Sequence, residues 1–295
     1  MNSNVQTRVR AVFLAAIMLA SVVAMSGAFV GGVAAQESDT EVSGGGSELQ
    51  DAIDQAGGDD VIEVTDSKTY NQIIIDRDDA SGLTIRAAEG ASPKITHNAN
   101  DGEPAVAIDQ DGITLVGFTI ERTSSNNVAQ AVRVAGNDIS LTDNTYDVTS
   151  SNDAAIAVLT DSSGAAGNPT FDGTISDVQI SGGEIITEDA SQTGVLVADN
   201  GDASFGGDGS VSVSDVTFTA NEDSTHVLEF DTGGGVINTT TTLSGNSFST
   251  AAQVSNTDAT NNGFRVDGAI TSKIQAAVNY AATDATIQVK SGTYQ

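Results

Sequence analysis

Few side chains in this sequence could do chemistry: two histidines, no cysteine, and 40 acidic residues against 11 basic ones. Asp109 and Asp111 precede Arg122 and Arg133 at distances that a repeating fold could stack onto one face. Carboxylate oxygens suit a hard cation such as calcium, and a neighbouring Arg or Lys can hold or move a proton. In so acidic a chain any Arg has carboxylates nearby, so the expectation for these four is solvated surface charge. No catalytic, cofactor-binding or metal residue is assigned.

The remaining candidates are plainer. His97 falls in a polar loop and His226 opens an apolar strand, and neither has a second His at ligand spacing. Gly206 to Ser210 starts like a calcium-binding nonapeptide, but Val211 stands where a ligating Asp is needed, so a flexible loop is expected. Serine-nucleophile and phosphate-loop motifs are absent. Asn238-Thr239-Thr240 is the single N-x-S/T acceptor, which makes Asn238 the candidate glycosylation site.

Charge and composition limit the partners. The formal charge is −29, and removal of Arg8 and Arg10 with a leader leaves 9 basic against 40 acidic residues, or −31. At molar ionic strength the Debye length falls to about 3 Å and such self-repulsion is screened, so a salt-requiring surface is expected. Nucleic acid and anionic membranes need Lys/Arg patches, which this chain lacks. With no cysteine, stability has to come from burial and backbone hydrogen bonds.

Five segments organise the chain. Arg8 and Arg10 precede an apolar run from Ala11, and the small residues Val33-Ala34-Ala35 end it; residues 1–35 are expected to be a signal peptide cleaved between Ala35 and Gln36. The rival is a retained anchor, since the uncharged stretch from Ala11 to Ala35 could cross a bilayer. Residues 36–46 are Gly-rich and read as a flexible linker. The body is expected over 47–250, a second linker over 251–270, and a truncated second unit over 271–295, because SKIQAAVNYAATDATIQVKSGTY (272–294) nearly copies SELQDAIDQAGGDDVIEVTDSKTY (47–70). Both copies carry apolar residues at helical spacing and then at strand alternation: Leu49, Ala52, Ile53 and Ala56 precede Ile62 and Val64. A sequence ending on such an opener is expected to continue or to be a fragment.

Between them the chain is a succession of short β-type runs separated by Asn, Asp, Gly and Ser. Leu141-Thr142-Asp143-Asn144-Thr145-Tyr146 matches Leu243-Ser244-Gly245-Asn246-Ser247-Phe248 in character, Ile180 to Ile185 is a looser copy, and Leu115 to Phe118 a compressed one. Equivalent strands are expected at Ile113, Ile139, Val178, Val213 and Thr241, with Asn or Gly at each corner to tolerate positive φ. Stacked coils of this kind put like aliphatic residues over like and pair each strand with its neighbours. The fold class is all-β, a right-handed parallel β-helix whose short helix over 48–56 lids one end. The rival is an antiparallel sandwich, for which Asp111-Gly112 and Asp172-Gly173 would be hairpin turns.

Two resemblances add to this. The segment VRAVFLAAIMLASVVAMSGAFVGGVAA resembles the signal of haloarchaeal surface glycoproteins, over the first 35 residues only. The repeats and their helical opener, from Ser47 to about Thr250, resemble the pectin-lyase-like β-helix superfamily, which implies two functions. One is a secreted, halophilic, surface-layer-associated structural or adhesive protein, with glycan binding as one form of it. The alternative is a polysaccharide lyase or glycoside hydrolase acting on acidic polysaccharides; there calcium would sit on Asp109 and Asp111, with Arg122 or Arg133 as base. Asn256-Thr257-Asp258 resembles the first motif of the polygalacturonase-like hydrolases, whose other motifs are missing. The partners implied are a cell-surface layer or a polysaccharide, with self-association left open, no nucleic acid, no membrane insertion of the mature body, and an extracellular location. With four Tyr and no Trp, aromatic sugar platforms are scarce.

Overall fold

The computed structural model describes residues 39–99, 101–123, 130–148, 154–159, 174–187, 192–198, 204–205, 208–220, 226–231, 240–244, 246–248 and 253–256. The signal segment with Ala35 and Gln36, the glycosylation candidate Asn238, Asp172-Gly173 and the second opener at 271–295 lie outside them. Among the described residues no helix is long and apolar enough to cross a membrane.

Among the described residues every strand pairing is parallel, and each turn of the chain adds one strand to each of three sheets. The first sheet runs through Val61–Val64, Thr84–Ala87, Thr114–Val116, Ser140–Thr142, Val178–Ser181, Asp208–Ser214 and Thr240–Ser244. The second begins at Thr69–Tyr70 and ends at Ser247–Phe248; the third begins at Ile73–Ile75 and ends at Gln253–Asn256. This is a right-handed parallel β-helix, the hand that parallel crossovers take. The antiparallel sandwich is excluded, and Asp111-Gly112 is a corner leading into the first sheet rather than a hairpin.

Register shows why the chain coils. Ile62, Ile85, Leu115, Leu141, Ile180 and Val213 are successive partners on the first sheet and continue to Leu243; the six up to Val213 are at most 1% exposed. Tyr70, Ile95, Ile120, Tyr146, Ile185 and Phe218 are successive partners on the second, and all are buried. On the third, Ile73, Val106, Val132, Ile156 and Val195 form one stack. Each such side chain contributes roughly 1.5–3 kcal/mol by leaving water, and a one-residue slip would turn a whole strand's set outward.

Several expectations are corrected. Val211, not Val213, is the partner of Val178 and of Thr241. The segment Leu115 to Ile120 is a full-length copy rather than a compressed one, since Leu115 pairs with Leu141 and Ile120 with Tyr146. Thr40–Val42, inside the stretch expected as linker, pairs with Val61–Val64 and buries Val42. Gln253–Asn256 carries the third sheet past residue 250. Asp208–Ser214 is a strand where a loop was expected around Gly206 to Val211; Gly206 and Gly207 are outside the described residues.

The lid is present but shorter, α1 (Glu48–Ile53), with Leu49 and Ile53 buried on the end of the stack and Ala52 and Ala56 packed beside them. It also closes a strand edge. The Gln50 side chain accepts from Ile74 N–H at 2.7 Å and donates to Ile74 C=O at 3.0 Å, mimicking the missing neighbour strand. Gly46 does this for the second sheet, donating to Thr69 C=O and accepting from Asn71 N–H, both at 2.9 Å.

The corners bear out the expected Gly, at Gly82, Gly112, Gly117 and Gly182, but where the residue is not Gly it is Asp rather than Asn. Among the described residues the non-glycine positions with positive φ are Asp59, Asp138, Asp143, Asp177 and Asp215. A short carboxylate can bond locally and so tolerates this conformation better than most side chains. Asp138, at φ 53 and exposed, is therefore expected to tolerate replacement by Asn within about 0.5 kcal/mol, whereas Asp138→Val should lose about 1–2 kcal/mol. Urea melts in molar salt measure the difference.

Candidate functional site

The four residues singled out by type and spacing do not converge. Arg122 ends a strand of the second sheet, Thr119–Arg122, on the same side as the inward Ile120, and is fully buried. Its Nε donates to Glu103 C=O at 2.7 Å, Nη1 to His97 C=O at 2.7 Å and Nη2 to Ala99 C=O at 2.8 Å. Asp101 sits 3.4 Å from Nη2 and within 3.0 Å of His97 Nε2. Burial pulls the Arg122 guanidinium below its usual range, against Asp101 and Glu103, which hold it up. Burial is also the largest influence on Asp101 and acts upward, but Glu103 N–H and His97 outweigh it and keep its carboxyl low. The cluster ties Arg122 to 97–99 and 101–103, and its guanidinium is used up on backbone carbonyls.

Asp109 and Arg133 do meet. Asp109 follows the third-sheet strand Val106–Ile108, and Arg133 is the middle of Val132–Val134 in the next coil, where it pairs with Ala107. The Arg133 Nη2 lies 3.7 Å from Asp109 Oδ2, and both residues are at most 5% exposed. The expectation of solvated charge thus fails for Asp109, Arg122 and Arg133, because register turns them toward packed surfaces. Asp111 has a corner role: its Oδ1 accepts from Asn137 N–H at 2.8 Å, and Asn137 Oδ1 accepts from Ser176 N–H at 2.8 Å.

His97 lies at the end of a strand, Lys94–His97, rather than in a free loop, and His226 opens His226–Asp231. Asn256 closes the last third-sheet strand, while Thr257 and Asp258 lie outside the described residues. No group of three or more metal-holding side chains forms among the described residues.

The feature that residue types did not disclose is a face. Outward positions of the first sheet form two columns: Thr114, Ser140, Gln179 and Ser212 in one, Val116, Thr142, Ser181 and Ser214 in the other. Register carries both on through Thr242 and Ser244. Thr142 Oγ1 lies 3.1 Å from Ser140 Oγ and 3.2 Å from Ser181 Oγ, so hydroxyls bond along the strand and across it. Neither column holds a charge after Arg86, which pairs with Glu63 at 3.0 Å. By contrast the second sheet's outward side carries Lys94 and Glu121, 2.7 Å apart, and Glu184. The signal was readable in Ser140-Leu141-Thr142 and Ser212-Val213-Ser214, each flanking an inward aliphatic with hydroxyls, and in Thr242-Leu243-Ser244, which repeats the sequence pattern.

No family model matches the chain, and no curated protein matches it. Among solved structures it is similar to an alginate lyase from Paenibacillus sp. str. FPU-7, at 13% identity over 78% of this chain and 99% of that one, with a TM-score of 0.27. A likeness that distant assigns no role to any residue here. The three parallel sheets of the chain itself establish the β-helix, and the outward side of its first sheet carries the uncharged hydroxyl columns.

Proposed function

We propose that this chain is the β-helical body of an exported, salt-adapted cell-surface protein, acting structurally or as an adhesin, with the first sheet's hydroxyl face as its contact surface. One observation carries the reading. In a strongly acidic chain a long, flat, uncharged face runs through at least four successive coils, while Arg122 and Arg133 are engaged inside the fold. A rigid periodic face of this kind suits a repetitive neighbour, either a surface layer or a polysaccharide, because each coil can repeat the same contact. Hydroxyls exchange hydrogen bonds with sugar hydroxyls without the desolvation cost that charged groups carry.

Co-sedimentation in molar salt with cellulose, chitin, alginate and isolated cell-surface layers tests this. Binding to at least one is expected, and Thr142→Arg with Ser181→Arg should weaken it at least tenfold without changing the melting temperature by more than a few degrees. Release of unsaturated products from alginate would replace this reading with the lyase. Failure of the folded protein to bind any of the four would overturn it.

A further inference from the structure

Asp109 is a titratable group that the proposed contact face does not use, and its surroundings are unusual for a carboxylate. It is 1% exposed, and among the described residues neither Oδ1 nor Oδ2 has a hydrogen-bond partner. The nearest cation, Arg133 Nη2 in the next coil, is 3.7 Å away, beyond hydrogen-bonding range. The other charges that act on it are Arg77 and Asp76, just past Ile73–Ile75 in the previous coil, and Glu103 in the loop leading into its own strand. The two cations act on it more strongly than the two carboxylates, but burial outweighs them, and no hydrogen bond among the described residues adds to what they supply.

An ionised carboxylate in such a place keeps the full penalty of leaving water, whereas the neutral acid loses far less. We infer that Asp109 is held as a neutral carboxylic acid in the folded chain and that folding takes up one proton there at pH values where the unfolded chain has already lost it. Burial, the largest influence, raises its proton affinity; Arg133 and Arg77 oppose this, while Asp76 and Glu103 add to it. The group thus works against the usual carboxylate behaviour of this acidic protein. Below about pH 3.9 both folded and unfolded chains hold the proton and Asp109 has no effect on stability. Above that value the unfolded chain releases the proton first, so the contribution of Asp109 to stability falls as pH rises through the folded-state value. The packing between the coils that carry Asp109 and Arg133 would loosen locally as that proton leaves.

Unfolding equilibria of the parent and Asp109→Asn, measured in urea between pH 4 and pH 8 in molar salt, read this out. Asn keeps the shape and cannot ionise. The ratio of the two unfolding constants should change up to tenfold per pH unit in favour of Asp109→Asn, then level off above the folded-state value. A second measurement covers the case in which the variant fails to fold: a site-specific carbon NMR titration of the folded parent should show Asp109 releasing its proton at higher pH than the exposed aspartates. A pH-independent ratio, or an Asp109 that titrates with or below the exposed aspartates, overturns the inference.

Discussion

Arg122→Met is expected to destabilise the folded chain by about 3–5 kcal/mol, seen as a lowered urea midpoint in molar salt. Three carbonyls, of His97, Ala99 and Glu103, converge on one guanidinium that is itself 0% exposed. Hydrogen bonds to a charged donor contribute about 1.5–3 kcal/mol each where they are well made, and methionine supplies none. The apolar replacement avoids leaving a buried charge, which keeps the loss at a few kcal/mol. Arg122→Lys keeps the charge but not the planar fork, and should recover less than half of the loss. The damage should concentrate in the loop at 97–103, which then becomes the first site of proteolysis. A change below about 1 kcal/mol would show that the loop holds itself.

Asn144→Leu should cost about 2–4 kcal/mol although it adds apolar surface to a buried site. The Asn144 side chain is 0% exposed and lies at the corner between the first and second sheets. Its Oδ1 accepts from Phe118 N–H at 2.9 Å and its Nδ2 donates to Leu115 C=O at 2.9 Å, reaching back one coil to the equivalent corner. Asn246 repeats this with Val216 N–H at 2.9 Å and Val213 C=O at 3.0 Å, which makes it a structural rule of the corner rather than a local accident. Leucine fills the volume but leaves the buried Phe118 N–H without its partner, at roughly 1–3 kcal/mol, and removes the bonds to Leu115 C=O and the Tyr146 hydroxyl. Because coils contact only their neighbours, hydrogen exchange should speed up around 115–118 and 141–146 and spare the lid at Leu49 and Ile53. Uniform acceleration along the whole stack would contradict this local account.

Both effects bear on the proposed role. A contact face is useful only if its hydroxyls keep their spacing, and that spacing is set by the inward stack beneath Thr142 and Ser181 together with the corner bonds of Asn144. Loosening a corner should therefore blur the face above it before the protein unfolds.

Much of the architecture could be read without coordinates. The pairing of Leu141 with Leu243's column, the burial of Leu49 and Ile53, and the strands at 84–87, 114–116 and 140–142 all follow from alternation and internal copies, which are local properties of the chain. Their physical basis is that a parallel coil buries whatever repeats, so repetition in residue character reports stacking directly. Other features needed the fold. Thr40–Val42 has too few residues to advertise a strand, and only an existing edge at Val61–Val64 makes it one. Asp rather than Asn holds the positive-φ corners, while Asn144 sits one residue later with its amide turned inward, a distinction set by backbone φ and not by composition. Asp109, Arg122 and Arg133 look alike in a list of charges. Whether each faces solvent, a loop or another coil depends on strand register and on which segments pack outside it. Residue types and spacing determined that this chain would coil and which aliphatic residues would stack. The tertiary structure alone decided where its charges went, because a side chain's surroundings come from residues tens of positions away.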